Sequence, residues 1–137
     1  MTLVLDCSVA LAWYIDDQST PTVDQVAERV ADEGAIVPSL WRLEVANGLQ
    51  TAMRQRRITT ARRHAILTNL SALPISIDPE TDDHAWAGTV KLADRFRLTT
   101  YDAAYLELAE RRGLPLASLD RALRAAARTL GLAVLGI

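Results

Sequence analysis

The feature that most constrains this chain is a regular alternation of short apolar runs with longer amphipathic ones. Thr2–Leu5, Ala35–Val37, Pro74–Asp78, Leu114–Ser118 and Leu132–Leu135 are too short for helices and read as strands. Between them lie segments with helical signals. Ser8–Ile15 has Ser8 placed as a cap, and Pro21–Glu33 carries Val23, Val26, Ala27 and Val30 at helical spacing and stops at Gly34. Leu40–Arg57 is followed by a helix that Thr59 or Thr60 can cap, running to about Leu73. Pro79–Phe96, Ala103–Arg112 and Arg121–Leu130 complete the set, the last two ending at Gly113 and Gly131. Strand–helix alternation with short links predicts an α/β fold, a parallel sheet of about five short strands covered by helices on both faces. No repeat, low-complexity stretch or linker divides the 137 residues, which are expected to form one domain over 1–137.

Ligands of such sheets bind beyond the carboxyl ends of the strands. Asp6 directly follows the first predicted strand and Asp120 the fourth; Asp102 opens a helix, and Glu44 lies in the first turns of the helix after the second strand. Four acids distant in sequence are therefore expected at one end of the sheet. Each aspartate also has a plain structural explanation as a helix N-cap. Glu44 does not: its neighbours at three and four residues are Leu40, Trp41, Asn47 and Gly48, none of them basic. Asp102 has similar company in Leu98, Thr99, Tyr105 and Leu106. A partly buried carboxylate needs a cation or a proton, and an all-oxygen donor set selects hard ions such as Mg²⁺ or Mn²⁺. Cys7, His64 and His84 lack zinc-ligand spacing, and Ser8 and Ser118 have no histidine partner in view. No G-x-x-x-x-G-K-[ST] loop or G-x-G-x-x-G fingerprint is present. An acidic cluster with a divalent cation is suited to phosphodiester hydrolysis.

Charge is compatible with that chemistry. The net charge of −2 argues at first against nucleic acid, but with the four acids set aside 13 acidic residues face 15 basic ones. All but Lys91 of those basic residues are arginine, which suits phosphate. Arg54, Arg56, Arg57, Arg62 and Arg63 cluster at a helix–helix junction, either as an RNA-binding rim or as a solvated helix end. Trp13, Tyr14, Trp41 and Trp86 are assigned to core or dimer contacts. No run is long enough to span a bilayer, the N-terminus lacks a basic signal region, and Cys7 is the one cysteine; a cytoplasmic, membrane-free protein is expected.

The acids stand in familiar surroundings. Leu5-Asp6-Cys7-Ser8-Val9-Ala10 resembles the opening D-x-S motif of PIN-domain nucleases. Val37-Pro38 with Leu43-Glu44-Val45-Ala46-Asn47 resembles their second motif, and Thr100-Tyr101-Asp102-Ala103-Ala104-Tyr105 their third. Leu116-Ala117-Ser118-Leu119-Asp120, followed by Leu123 and Ala126, resembles the last, with Ser118 in place of the common threonine. The opening Asp-x-Ser-Val-Ala-x-x-Trp is most similar to the VapC toxins of toxin–antitoxin pairs. That resemblance implies an Mg²⁺- or Mn²⁺-dependent endoribonuclease acting on structured RNA of the tRNA or rRNA class. It also implies a homodimer and a cognate VapB-type antitoxin whose C-terminal segment fills the acidic groove. Asp6 and Asp102 would ligate the cation directly and Glu44 and Asp120 would complete the site, with Ser8 and Ser118 in support.

Three other functions are weighed beside this one. A housekeeping PIN-type RNA-processing nuclease shares the chemistry. An acidic-pocket receiver domain needs a lysine late in the chain, whereas Lys91 precedes the third motif. A PIN module that only binds RNA or protein would not need all four acids.

Overall fold

The computed structural model describes residues 1–15 and 18–137. Five strands, β1 (Leu3–Leu5), β2 (Ala35–Val37), β3 (Ile75–Ile77), β4 (Leu116–Ala117) and β5 (Val134–Leu135), form one sheet in the order β3-β2-β1-β4-β5. All four pairings are parallel, and Val4 of the central strand lies opposite both Ile36 and Leu116. Every residue of β1 and β2 is buried, as expected of parallel strands covered on both faces. The helices are α1 (Cys7–Ala12), α2 (Pro21–Glu33), α3 (Trp41–Arg54), α4 (Thr60–Ser71), α5 (Thr81–Ala85), α6 (Gly88–Phe96), α7 (Thr100–Arg112) and α8 (Arg121–Thr129). The core packs Leu3, Leu5, Val9 and Leu116 against Leu49 of α3, Tyr105, Leu106 and Leu108 of α7 and Leu123 of α8. No helix among the described residues is long and apolar enough to cross a membrane.

The chain winds outward from β1 to β2 and β3, then returns to the opposite side of β1 for β4 and β5. In open α/β sheets ligands bind at such a reversal, beside the carboxyl end of the strand, and Asp6 directly follows β1 there.

Two expectations of local structure are corrected. The continuous helix over Pro79–Phe96 is broken at Trp86 and Ala87, whose backbones leave the helical region. Tertiary anchoring overrides the periodicity there. The Thr81 hydroxyl donates to Asp78 Oδ2 (2.9 Å) and accepts from the Ser39 amide, while His84 Nδ1 lies 3.4 Å from Glu107. These bonds hold α5 against the end of β3, so α6 must start afresh to lie along α7. The break leaves Trp86 95% exposed, outside the core; Trp41 is buried, and Trp13 donates its indole N–H to Val23 O (2.9 Å).

The second correction concerns the start of α7. It begins at Thr100, earlier than Ala103, because Thr99 is the N-cap and its hydroxyl accepts from the Asp102 amide (3.1 Å). Elsewhere Arg111 ties α7 to the sheet, bonding Asp78 Oδ2 (2.6 Å) and Glu107 Oε1 (2.8 Å). Burial alone would raise the Asp78 pKa; the Arg111 and Thr81 bonds hold it below the ordinary value.

Candidate functional site

The three aspartates that could all have been caps part company in the structure. Asp120 does cap α8, its Oδ1 accepting from the Leu123 amide (2.8 Å). Asp102 lies inside the first turn of α7, where Thr99 is already the cap. Asp6 occupies the N-cap position of α1 but makes no capping bond with its side chain. That carboxylate is turned elsewhere and is only 4% exposed.

Asp6 Oδ2 accepts from Ser8 Oγ (2.6 Å) and from Ser118 Oγ (2.8 Å). Each serine in turn accepts a backbone N–H from the β4–α8 link, Ser8 from Leu119 (3.0 Å) and Ser118 from Asp120 (3.0 Å). A hydroxyl has one proton, so both serines spend theirs on Asp6. Ser8 therefore does not cap α1, as its position suggests; it joins α1 to the start of α8. Burial raises the Asp6 pKa, the two serine bonds oppose that, and the charge of Asp120 adds to the rise.

Glu44 reaches the same place from α3. Gly48, one turn further along, lets α3 lie close to α1, since a Cβ there would overlap the Leu11 side chain. The Tyr105 hydroxyl of α7 donates to Glu44 Oε1 and orients the carboxylate. Ligand atoms of Asp6, Cys7 and Glu44 all lie within 4.8 Å of one another. Burial raises the pKa of the half-buried Glu44 against the Tyr105 bond, and Asp6 and Asp102 raise it further. Asp102 and Asp120 stand outside that tight group. Burial, then the charges of Asp6 and Asp120, push the Asp102 pKa up, so its field overlaps theirs. Among the described residues, none of the four acids pairs with an arginine or lysine.

The sequence offered no role for Tyr105 or for the Cys7 thiol, although both stand inside the motifs quoted above. Burial and the charges of Asp6 and Glu44 hold the Cys7 thiol protonated. Tyr105 likewise stays neutral through burial and the charges around it, and so remains a donor to Glu44. A tyrosine one helical turn after Asp102 is the signal that could have disclosed it.

Among the described residues, no ion pair joins the five arginines to the four acids. Arg54, Arg56 and Arg57 are exposed at the end of α3, Arg62 sits over the Tyr14 ring (5.8 Å), and Arg63 donates to Gln50 Oε1 (2.9 Å). Glu44 and Arg54 share α3, and their spacing places them about 15 Å apart along its axis. The stretch from Val45 to Ile77 contains no acidic residue.

Among solved structures the chain is similar to PAE2754 from Pyrobaculum aerophilum, with a TM-score of 0.68 and 25% identity over 98% of this chain and 89% of that one. It is also similar in fold to FitAcB from Neisseria gonorrhoeae, with a TM-score of 0.66 and 14% identity over 98% and 97% of the two chains. No curated protein matches the sequence significantly. PIN domains are in general metal-dependent nucleases, and the family model for the PIN domain matches residues 3–129. Since that match takes in β1 through α8 and all four acids, the chain belongs to the PIN domain family.

Proposed function

We propose that this PIN domain is an Mg²⁺- or Mn²⁺-dependent endoribonuclease, the toxin of a toxin–antitoxin pair. The observation that carries the proposal is the buried, serine-held carboxylate of Asp6 facing Glu44 within 4.8 Å, with no basic side chain paired to either among the described residues. The raised pKa values of Asp6, Glu44 and Asp102 mark a negative cluster lacking a counter-charge. Its carboxylate oxygens suit a hard divalent cation.

Asp6 and Asp102 are assigned as direct ligands, with Glu44 and Asp120 completing the set. A cation bound there supplies charge neutralisation at a phosphodiester and acidifies water. The protein's own contribution is orientation. The two serines present a fixed oxygen of Asp6, Tyr105 sets the carboxylate plane of Glu44, and the Leu123 amide restrains Asp120. Such restraint lowers the reorganisation needed when substrate arrives.

The arginines Arg54, Arg56, Arg57, Arg62 and Arg63 are assigned to phosphates of the RNA beyond the cut, on the acid-free stretch from Val45 to Ile77. The toxin assignment, a VapB-type antitoxin, a homodimer and a substrate of the tRNA or rRNA class rest on the likeness of the four motifs to VapC toxins. Antitoxin-free protein is expected to cut total RNA at discrete sites only with Mn²⁺ or Mg²⁺, and Asp102→Asn to abolish those cuts with the fold intact. Cation-independent cutting, or full cutting by the variant, refutes the assignment. Growth arrest on expression, relieved by the neighbouring antitoxin gene, separates a toxin from a housekeeping nuclease.

A further inference from the structure

Arg124 is a buried cation that none of the chemistry above uses. It lies on α8 one turn after Asp120, is only 4% exposed, and forms no ion pair among the described residues. Its Nη1 donates to two backbone carbonyls, Ser118 O (2.7 Å) and Leu135 O (2.9 Å). These carbonyls close the adjacent strands β4 and β5, and Leu135 O also accepts from the Ser118 amide (3.1 Å). A buried guanidinium without a carboxylate is a costly choice for a position that a leucine or methionine could fill. Its return is geometric, since a single side chain bridges two strand ends and supplies the Ser118 carbonyl with a donor it would otherwise lack.

Ser118 is what the bridge holds. With Arg124 on its carbonyl, every polar group of Ser118 is bonded: N–H to Leu135, C=O from Arg124, and Oγ between Asp6 and the Asp120 amide. Two of the four acids therefore take their relative placement from one serine, and that serine is clamped from behind by Arg124. We infer that Arg124 is a positioning residue of the acidic site, setting the Asp6–Ser118–Asp120 geometry that a divalent cation meets. The inference rests on the metal-centre reading proposed above.

The test compares Mn²⁺ affinity with stability. The wild-type protein, Arg124→Met and Arg111→Met are titrated with Mn²⁺, reading the free-ion electron paramagnetic resonance signal, and each is melted without metal. Arg111 holds a separate ion network with Asp78 and Glu107, neither of them among the four acids, so its variant controls for general loosening. Arg124→Met is expected to weaken Mn²⁺ binding by about tenfold or more, whereas Arg111→Met keeps wild-type affinity despite a comparable loss of melting temperature. Wild-type affinity in folded Arg124→Met, or an equal loss in both variants, overturns the inference. If Arg124→Met does not fold, Arg124→Lys and Arg124→Gln decide. Lysine keeps a cation able to reach both carbonyls and should retain affinity, while the shorter carboxamide should lose it; equal affinity in the two overturns the inference. A wild-type protein that binds no Mn²⁺ refutes the metal-centre reading itself, and this inference falls with it.

Discussion

Replacing Glu44 with glutamine should make the metal-free protein more stable while removing much of its response to a cation. At the 4.8 Å limit separating the Asp6 and Glu44 ligand atoms, two full charges repel by about 3.5 kcal/mol at an effective dielectric of 20. Glu44 is only half-buried, and solvent screening leaves about 1–2 kcal/mol of that as net destabilisation. Glutamine keeps the shape and an oxygen to accept the Tyr105 hydroxyl, so the substitution removes charge without leaving that donor unpaired. For a domain of this size the gain corresponds to a rise in melting temperature of about 3–7 °C. The dependence on pH has a definite sign. The folded-state pKa values of Asp6, Glu44 and Asp102 are raised, so in this region the folded state binds more protons than the unfolded one. The penalty is absent below the unfolded values, grows as pH rises through them, and is complete above the folded values. The advantage of Glu44→Gln should accordingly be smallest at acidic pH and grow as the pH rises through the raised folded-state values. Wild-type protein should recover about 2.7 kcal/mol with cation at a hundred times its dissociation constant, and the variant much less. Melting both proteins by calorimetry at acidic and neutral pH, with and without Mn²⁺, provides the measurement. A metal-free variant less stable than wild type at neutral pH, or one with the full cation response, would show that these carboxylates do not form a charged, cation-seeking pair.

Asp120 combines two duties that substitution can separate. Asp120→Ala should cost about 1 kcal/mol through the lost cap as well as impair cleavage, whereas Asp120→Asn should keep the cap and lose only cleavage, read from denaturant melts beside an RNA assay. Arg56→Ala combined with Arg62→Ala should weaken RNA binding and lower the slope of log affinity against log salt by about one to two. Filter binding to tRNA across a salt series measures that slope, and an unchanged slope would remove these side chains from the phosphate contacts.

The elements of the fold were legible because their signals are local. Pro21–Glu33 carries its own start, its own apolar stripe and a glycine stop, and the structure keeps those bounds. Ala35–Val37 is equally plain, an apolar triplet between Gly34 and Pro38. The predicted Pro79–Phe96 helix failed because its interruption arises from Asp78, Ser39 and Glu107, partners whose contacts no local pattern encodes. Asp102 reads in sequence as either a cap or a site residue because threonine and aspartate are both favoured caps, and only the backbone angles identify Thr99 as the cap.

For the acidic site, sequence alone placed Asp6, Glu44 and Asp120 after parallel strands, which strand–helix alternation brings to one edge of the sheet, whereas Asp102 follows α6 and meets Asp6 and Asp120 only through the packing of α7. Tertiary structure decided what each acid does there. Asp6 is buried and held by two serines from opposite ends of the chain, Glu44 of α3 is oriented by Tyr105 of α7, and Asp120 is spent partly on a cap. The Arg124 clamp behind Ser118 belongs to the same class. Periodicity encodes which face of an element is buried, whereas a hydrogen bond between residues 112 positions apart exists only once the sheet has brought their strands side by side.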